Sequence, residues 1–253
     1  MRIASLLPGA TDAVLALGAR EALVGVSHEC DQPAVANLPR LTRSRIDPSK
    51  PSAEIDAVVR AALAAGQPLY ELDQDALRTA APELVITQQL CPVCAPDLTL
   101  VAPALERLPN TPRVLSLHPH TLDGVLADLR MLGEAIGHAE QGRAAEAALR
   151  ERLARVALLV DGARRPRVFC LEWLSPPMTS GHWVPEQVAA ASPQERARVN
   201  SMPRCSSPMV IAEMNRPAAS WVANQASTPP CGLDLRNSET TLVSNRNIKT
   251  RAT

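Results

Sequence analysis

The chain has 253 residues, its 26 lysines and arginines are balanced by 26 aspartates and glutamates, and its aromatic content is only 2%. This length is enough for one large domain or for two lobes with buried cores. Because the net charge is zero and no local basic patch is evident, no nucleic acid or anionic membrane is expected as a partner.

The N-terminus opens with a short apolar strand, Ile3 to Leu7, that runs at once into Pro8 and Gly9. It lacks the charged start, the long apolar stretch and the cleavage site of a secretory signal. No run of about 18 apolar residues occurs anywhere, so no membrane insertion is expected. The chain as written is therefore expected in the cytoplasm, or in the periplasm or another extracytoplasmic space if a true leader is missing.

Strands and helices alternate through the first half of the chain. "RIASLL" predicts a strand, "ATDAVLALGA" a helix, "LVGVS" a second strand and "SAEIDAVVRAALAAG" an amphipathic helix that Gly66 ends. A strand at Leu84 to Thr87 and another in "RVLSL" follow. This βαβ alternation predicts an α/β N-terminal lobe over residues 1–119.

Residues 120–163 form an almost continuous helical pattern. Gly133, Gly137 and Gly142 weaken it, but no proline interrupts it, and one long or slightly bent helix is expected. Strand character then restarts in "RVFCLEWL", so residues 164–186 are expected to begin a second α/β lobe.

The composition changes abruptly after Glu186. The residues up to Glu186 include 29 Leu and 2 Asn, whereas the last 67 residues hold 3 Leu and 6 Asn. Such a segment has little to bury, so residues 187–253 are expected to be disordered or to come from a shifted reading frame or a foreign fusion. The second lobe would then be incomplete.

The most distinctive short motif is "LCPVC", which places Cys91 and Cys94 directly after the strand that ends at Thr87. Three interpretations stay open: structural thiols in a ligand wall, a zinc site and a redox pair. A zinc site would need further ligands, for which the loop residues His28, Cys30, His118 and His120 are candidates.

Two polar loops follow the early strands. "VSHECD" gathers His28, Glu29, Cys30 and Asp31, which suit ligand binding or acid–base chemistry, and the alternative is a solvated turn. "TRSRID" supplies Arg43, Arg45 and Asp47, whose charged groups could bind a carboxylate or phosphate through the arginines or could simply pair with each other on the surface.

The scarce aromatic residues are candidates for a binding wall. Tyr70 lies in "LYELD", and Trp173 and Trp183 lie with Glu172 and His182 in "CLEWLSPPMTSGHWVPE", although Trp173 would serve equally in a core. No nucleotide-binding glycine loop and no G-x-S-x-G nucleophile motif is present. No catalytic residue is therefore assigned, and an enzyme is not expected.

Taken together, "RIASLLPGATDAVLALGA", "SHECD", "TRSRID", "LYELD", "LCPVC" and "EWLSPPMTSGHW" resemble the vitamin B12/ferric-siderophore class of ABC-importer substrate-binding proteins, in its cobalamin-binding branch. The resemblance covers about Arg2 to Glu186. It implies two Rossmann-like lobes bridged by a long helix, with the ligand held between them, and it fits a monomer.

The resemblance also implies roles for particular residues. Cobalamin or another metal chelate would be the ligand, no further cofactor is required, and an ABC permease would be the partner. Glu71, Asp73 or Asp75 would be its docking residue, with Asp75 the best match by its distance from Pro82. The expected ligand-binding residues are His28, Glu29, Cys30, Asp31, Arg43, Arg45, Tyr70, Cys91, Cys94, Glu172, Trp173, His182 and Trp183. The alternative is a cytosolic metal-binding or thiol-redox protein centred on Cys91 and Cys94, with His28 and Cys30 as further candidate ligands.

Overall fold

A computed structural model describes residues 1–89, 96, 98–163, 167–174, 177–191 and 240–243. The chain divides into two compact units, Met1–Arg152 and Leu153–Thr253. Within the described ranges, no helix combines the length and the apolar character needed to cross a bilayer.

The first unit alternates strands and helices. Its elements in chain order are β1 (Ile3–Ser5), α1 (Pro8–Ala16), β2 (Leu23–Val26), β3 (Thr42–Ser44), α2 (Ser52–Ala64), β4 (Tyr70–Leu72), α3 (Gln74–Ala80), β5 (Leu84–Gln88), α4 (Leu98–Leu105), β6 (Arg113–Leu117), α5 (Leu122–Ile136) and α6 (Ala139–Val160), which continues into the second unit.

Four parallel strands form the main sheet, in the order β2-β1-β5-β6. Every residue of β1 is buried, because this strand is central and both faces of the sheet are covered. The apolar runs predicted to be strands are the strands of this sheet, and the expected α/β class is confirmed. The strand order reverses between β1 and β5, which creates a switch point where open α/β sheets bind ligands.

Each face of the sheet has its own apolar core. On one face, Ile3 and Ile86 of the sheet pack in a cluster with Val14 of α1 and Leu132 of α5. On the other face, Val85 belongs to a second cluster with apolar residues of α3 and α4. Alternate residues of a strand point to opposite faces, which is why the continuous apolar run of β5 serves both cores.

The strands β3 and β4 form a separate antiparallel hairpin. The chain enters β3 from a parallel bridge between Val26 and Arg40, so the hairpin continues past the carboxyl end of β2. Helix α2 lies between the two strands, in the long connection of residues 45–69. It buries only Asp56 and Val59, so it contributes little to either core.

The predicted single helix over residues 120–163 is wrong, because the segment forms two helices, α5 and α6. Gly137 ends α5 in the left-handed conformation with φ of 80°, which favours glycine. The two helices then pack side by side, and Gly133 and Gly142 meet where they cross. Gly133 and Gly142 allow the two helices to pack closely. From the sequence pattern alone, Gly133, Gly137 and Gly142 all count as weak points of one helix.

The second unit contains β7 (Arg167–Leu174), β8 (Pro177–Thr179), α7 (Val184–Ala190) and β9 (Thr240–Val243). β7 pairs antiparallel with β8 and parallel with β9. The sequence does not predict β9, because four residues between polar neighbours are too few to show the alternation of apolar and polar side chains that marks a strand. Residues 187–253 are expected to be disordered, frame-shifted or foreign. Most of them, residues 192–239 and 244–253, lie outside the described residues.

Candidate functional site

The candidate site lies at the carboxyl edge of the main sheet. The parallel strands β1, β2 and β5 all end at this edge, and α1 begins there with Pro8 and Gly9. The first turn of α1 has no side-chain cap and no acidic residue. Among the described residues, polar side chains gather at this edge in the loop after β2, next to the hairpin that follows it.

Buried hydroxyl groups support the loop that carries His28. The Thr42 side chain is fully buried, and its Oγ1 accepts a hydrogen bond of 3.0 Å from the backbone N–H of His28. Nδ1 of the His28 ring lies 2.7 Å from the same oxygen. Thr42 Oγ1 donates to Ser27 Oγ at 3.2 Å. The start of β3 thus fixes both the backbone and the ring of His28.

The hydrogen bonds of Thr42 Oγ1 indicate the tautomer of His28. A hydroxyl has one hydrogen to donate and two lone pairs. Since Thr42 donates its hydrogen to Ser27 and accepts from the His28 backbone, its second lone pair takes a hydrogen from Nδ1 of the ring. The other ring nitrogen, Nε2, then carries a lone pair.

The Nε2 atom of His28 is buried and makes no hydrogen bond. Glu29 Oε1 lies 3.3 Å from it, within ion-pair distance but without hydrogen-bond geometry. Burial lowers the pKa of His28, and Arg40 adds to this, whereas Glu29 acts in the opposite direction. A neutral ring whose Nε2 lone pair makes no hydrogen bond and lies beside the exposed Glu29 side chain is suited to contact a metal centre or a hydrogen-bond donor.

Tyr70 brings an aromatic face to the same place. It begins β4, pairs with Ser44 of β3, and its ring centroid lies 5.9 Å from that of His28 with the planes tilted by 47°. The structure therefore brings together two of the predicted ligand-binding residues, His28 from "SHECD" and Tyr70 from "LYELD".

Cys30 lies behind this surface. Its side chain is 2% exposed, and its Sγ lies 3.1 Å from Thr11 Oγ1, which donates to Ser5 Oγ at 2.9 Å. Burial raises the pKa of the Cys30 thiol. A thiol that is buried and kept protonated is a poor nucleophile and a poor metal ligand, so we leave Cys30 out of the proposed contacts.

The two arginines of the hairpin form ion pairs with acids of β4 and its C-terminal end. Arg43 contacts Asp73 Oδ2 at 2.9 Å, and Arg45 Nε donates to Glu71 Oε1 at 2.9 Å. Asp73 also caps α3 by accepting the backbone N–H of Ala76, which is the main cause of its lowered pKa. Both arginines therefore pair with acids of the β4 segment rather than with Asp47, and each uses only one of its N–H groups to do so.

Two further expected residues of the first unit are exposed. Asp31 lies on the surface directly after the His28 loop. Asp75, in the first turn of α3, has 88% of its side chain exposed and pairs with Arg78 at 2.7 Å. An exposed acid at this position is accessible to a partner protein.

The remaining expected contacts belong to the second unit. Glu172 and Trp173 lie in β7, where Trp173 pairs with Met178. His182 has a φ of 53°, and its ring centroid is 5.9 Å from that of Trp183, which precedes α7. Their roles stay predictions.

The Cys91 and Cys94 motif lies outside the described residues. On its two sides, Thr87 at the end of β5 donates to the carbonyl of Pro96 at 2.6 Å. In the part of the chain that the structure describes, no three histidine, cysteine or acidic side chains are grouped so as to hold a metal ion. His118 and His120, the other candidate zinc ligands, follow β6 and are exposed.

Sequence reasoning missed Thr42, Ser27 and Asp128. Nothing in "LTRSR" marks Thr42, whose role depends on the bridge that carries β3 past β2. Asp128 is half-buried on α5, and burial raises its pKa to about 6, with His118 acting weakly in the opposite direction. The one sequence feature that indicates Asp128 is its position as an acid within the apolar pattern of the helix.

Comparison with known structures identifies the fold. RhuT, a periplasmic heme-binding protein from Roseiflexus sp. RS-1, matches with a TM-score of 0.55 and 21% identity over 76% of this chain and 64% of its own. A possible iron-binding (periplasmic solute-binding) protein from Staphylococcus epidermidis ATCC 12228 matches with a TM-score of 0.54 and 16% identity over 76% and 66%. The periplasmic vitamin B12 binding protein BtuF of Vibrio cholerae matches with a TM-score of 0.50 and 22% identity over 76% and 64%.

The chain therefore has the fold of the class III periplasmic binding proteins, and the expected resemblance is confirmed at the level of the fold. It spans just under two thirds of the length of these three structures. No protein-family model matches the chain, and no curated protein sequence matches it.

Proposed function

We propose that the chain is a substrate-binding protein for cobalamin or a related metal chelate, and that it supplies an ABC importer. The fold is shared with binding proteins for heme and vitamin B12. Such proteins bind and release their ligand without changing it, so no catalytic residue is assigned.

One observation carries the proposal: His28 and Tyr70 lie together beyond the carboxyl end of β2, and the His28 ring is held by Thr42. A flat metal chelate needs an aromatic or apolar surface and a small number of fixed polar contacts. Tyr70 supplies the aromatic face. The lone pair on His28 Nε2 supplies a fixed donor for the metal or for a polar group of the ligand.

Ligand access to Nε2 requires movement of Glu29. The Glu29 side chain is 66% exposed and its carboxylate lies 3.3 Å from Nε2. Rotating an exposed side chain costs little, at most about 1–2 kcal/mol of rotamer freedom. We therefore expect Glu29 to move away from Nε2 when the ligand enters.

The partner permease would contact the surface around Asp75. Its side chain is exposed, and the short ion pair with Arg78 holds the carboxylate near the N-terminal end of α3. Exposed pairs of this kind contribute little to stability, so Asp75 is free to exchange Arg78 for an arginine of another protein.

A titration monitored by visible absorption tests the proposal. Cobalamin, cobinamide and hemin are added separately to the wild-type chain, to H28A and to H138Q. His138 is the matched control, because its ring is bound to the Leu17 carbonyl at 3.1 Å and plays no part in the site.

We expect at least one of these chelates to change the spectrum of the wild-type mixture in a saturable way. H28A should weaken that ligand about tenfold, the loss of roughly one good contact of 1.4 kcal/mol, and H138Q should bind normally. Absence of a saturable change with all three chelates would refute the proposal.

A further inference from the structure

A second feature of the first unit adjoins the site. A groove of about 420 Å³ lies between the β3–β4 hairpin and helix α4. Tyr70 lines this groove and also faces His28 across 5.9 Å. Tyr70 is therefore common to the His28 site and to the groove.

The groove carries two guanidinium groups against one carboxylate. Arg45 lines it from the hairpin together with Glu71, and Arg107 lines it from the segment after α4. Arg45 gives Glu71 a single hydrogen bond from Nε, which leaves the four N–H groups on its terminal nitrogens for another acceptor. Arg107 is exposed and makes no hydrogen bond or ion pair with the residues that the structure describes.

Apolar side chains line the groove as well. Leu100 and Pro103 of α4 are among them. A groove that combines apolar side chains with two guanidinium groups suits a flat apolar body that carries carboxylates, because guanidinium groups bind carboxylates through paired, charge-assisted hydrogen bonds. Neutral amide groups would gain much less from the same arginines.

We propose that this groove binds an acidic side group of the ligand and that Arg107 determines specificity there. The inference rests on the proposed function and restricts the chemical class of the ligand. The ligand would be a tetrapyrrole that carries carboxylate side groups, rather than a corrinoid, whose ring bears amides. Arg45 would assist Arg107 from the opposite wall of the groove.

Fluorescence titration with metal-free protoporphyrin IX and with its dimethyl ester tests the inference, since the two probes differ only in their carboxylates and neither needs a metal contact. R107Q removes the charge at an exposed position, where little effect on folding is expected. R143Q is the matched control, because Arg143 is an exposed arginine of α6 that does not line the groove.

For the wild-type chain we expect the free acid to bind about tenfold more tightly than the ester, as one charge-assisted contact provides. R107Q should abolish this difference by weakening the acid alone, and R143Q should preserve it. Equal affinity for acid and ester, or an unchanged preference in R107Q, overturns the inference and leaves the proposed function in place.

Two other outcomes are equally decisive. Binding of cobalamin without binding of either porphyrin overturns the inference and supports the proposed function. Failure to bind either porphyrin, cobalamin, cobinamide or hemin overturns both.

Discussion

Thr42 Oγ1 lies 2.7 Å from Nδ1 of His28 and also accepts the backbone N–H of the same residue at 3.0 Å. One buried hydroxyl therefore determines where the His28 ring stands and which of its nitrogens keeps a lone pair. Replacing that hydroxyl tests both its structural contribution and its contribution to binding.

T42V should lower the free energy of unfolding by about 1–3 kcal/mol, because it leaves buried polar groups without their partner. It should also weaken binding of the chelate, since the His28 ring loses its support. T42S keeps the hydroxyl and serves as the control. Chemical denaturation and the titration described above provide the two readouts, and a T42V protein with wild-type stability and affinity would contradict the prediction.

Stability should fall as the pH is lowered through the ordinary pKa of histidine. Burial holds the pKa of His28 below its ordinary value of 6.5, so the unfolded chain takes up a proton at a higher pH than the folded chain does. The stabilisation is complete above pH 6.5 and is lost as the pH falls from there through the lower folded-state pKa.

Denaturation at about pH 7.5 and about pH 5.5 measures this effect. The H28Q variant should lose less stability over this interval than the wild-type chain does, because glutamine does not titrate. A pH dependence identical in the two proteins would show that His28 is not the group responsible.

Asp128 should affect the pH dependence of stability in the direction opposite to His28. Burial raises its pKa from 3.8 to about 6, so the folded chain releases this proton at a higher pH than the unfolded chain. Stability is lost as the pH rises through this interval, and above pH 6 the charged carboxylate is held at a cost.

D128N should therefore stabilise the protein at about pH 7.5 by on the order of 1 kcal/mol, a value reduced for the partial exposure of the side chain. The gain should largely disappear at about pH 3.5, where the carboxyl is protonated in the folded chain and mostly protonated in the unfolded chain. Thermal unfolding at the two pH values distinguishes this from a change in packing, which would be the same at both.

The contact between α5 and α6 should not tolerate a methyl group. A Cβ at Gly133 would lie 2.8 Å from Gly142 Cα and 2.7 Å from the His138 carbonyl oxygen, both of them backbone atoms. G133A should therefore destabilise the protein by roughly 1–3 kcal/mol. G9A is the control, because a Cβ at Gly9 meets nothing within 4 Å. Equal melting temperatures for the two variants would contradict the prediction.

The sheet could be predicted because each of its strands is a short apolar run that ends at turn residues. The polar loop with His28 could be predicted for the same reason, since it follows such a strand. Thr42 could not, because its position depends on the pairing of residues far apart in the chain, Val26 and Arg40. The break at Gly137 was missed because glycines that end a helix and glycines that pack two helices look alike in sequence.

The groove was beyond sequence reasoning for a similar reason. Arg45 and Arg107 are 62 positions apart in the chain, and only the placement of the hairpin beside α4 joins them. "TRSRID" predicts anion binding by Arg43 and Arg45, but the sequence does not show that Asp73 and Glu71 already pair with them, because those ion pairs depend on the register of β3 against β4.

Helix α2 has a consequence for engineering this protein. It sits in the connection between β3 and β4 and buries only two residues, whereas the strands pair with each other directly. Because the entropy of closing a loop changes by only about 0.6 kcal/mol for each doubling of its length, residues 47–67 are a place where the chain can be shortened, extended or interrupted by a foreign domain. A reporter inserted there would be attached to the hairpin that holds Tyr70 and Arg45, next to the proposed ligand site.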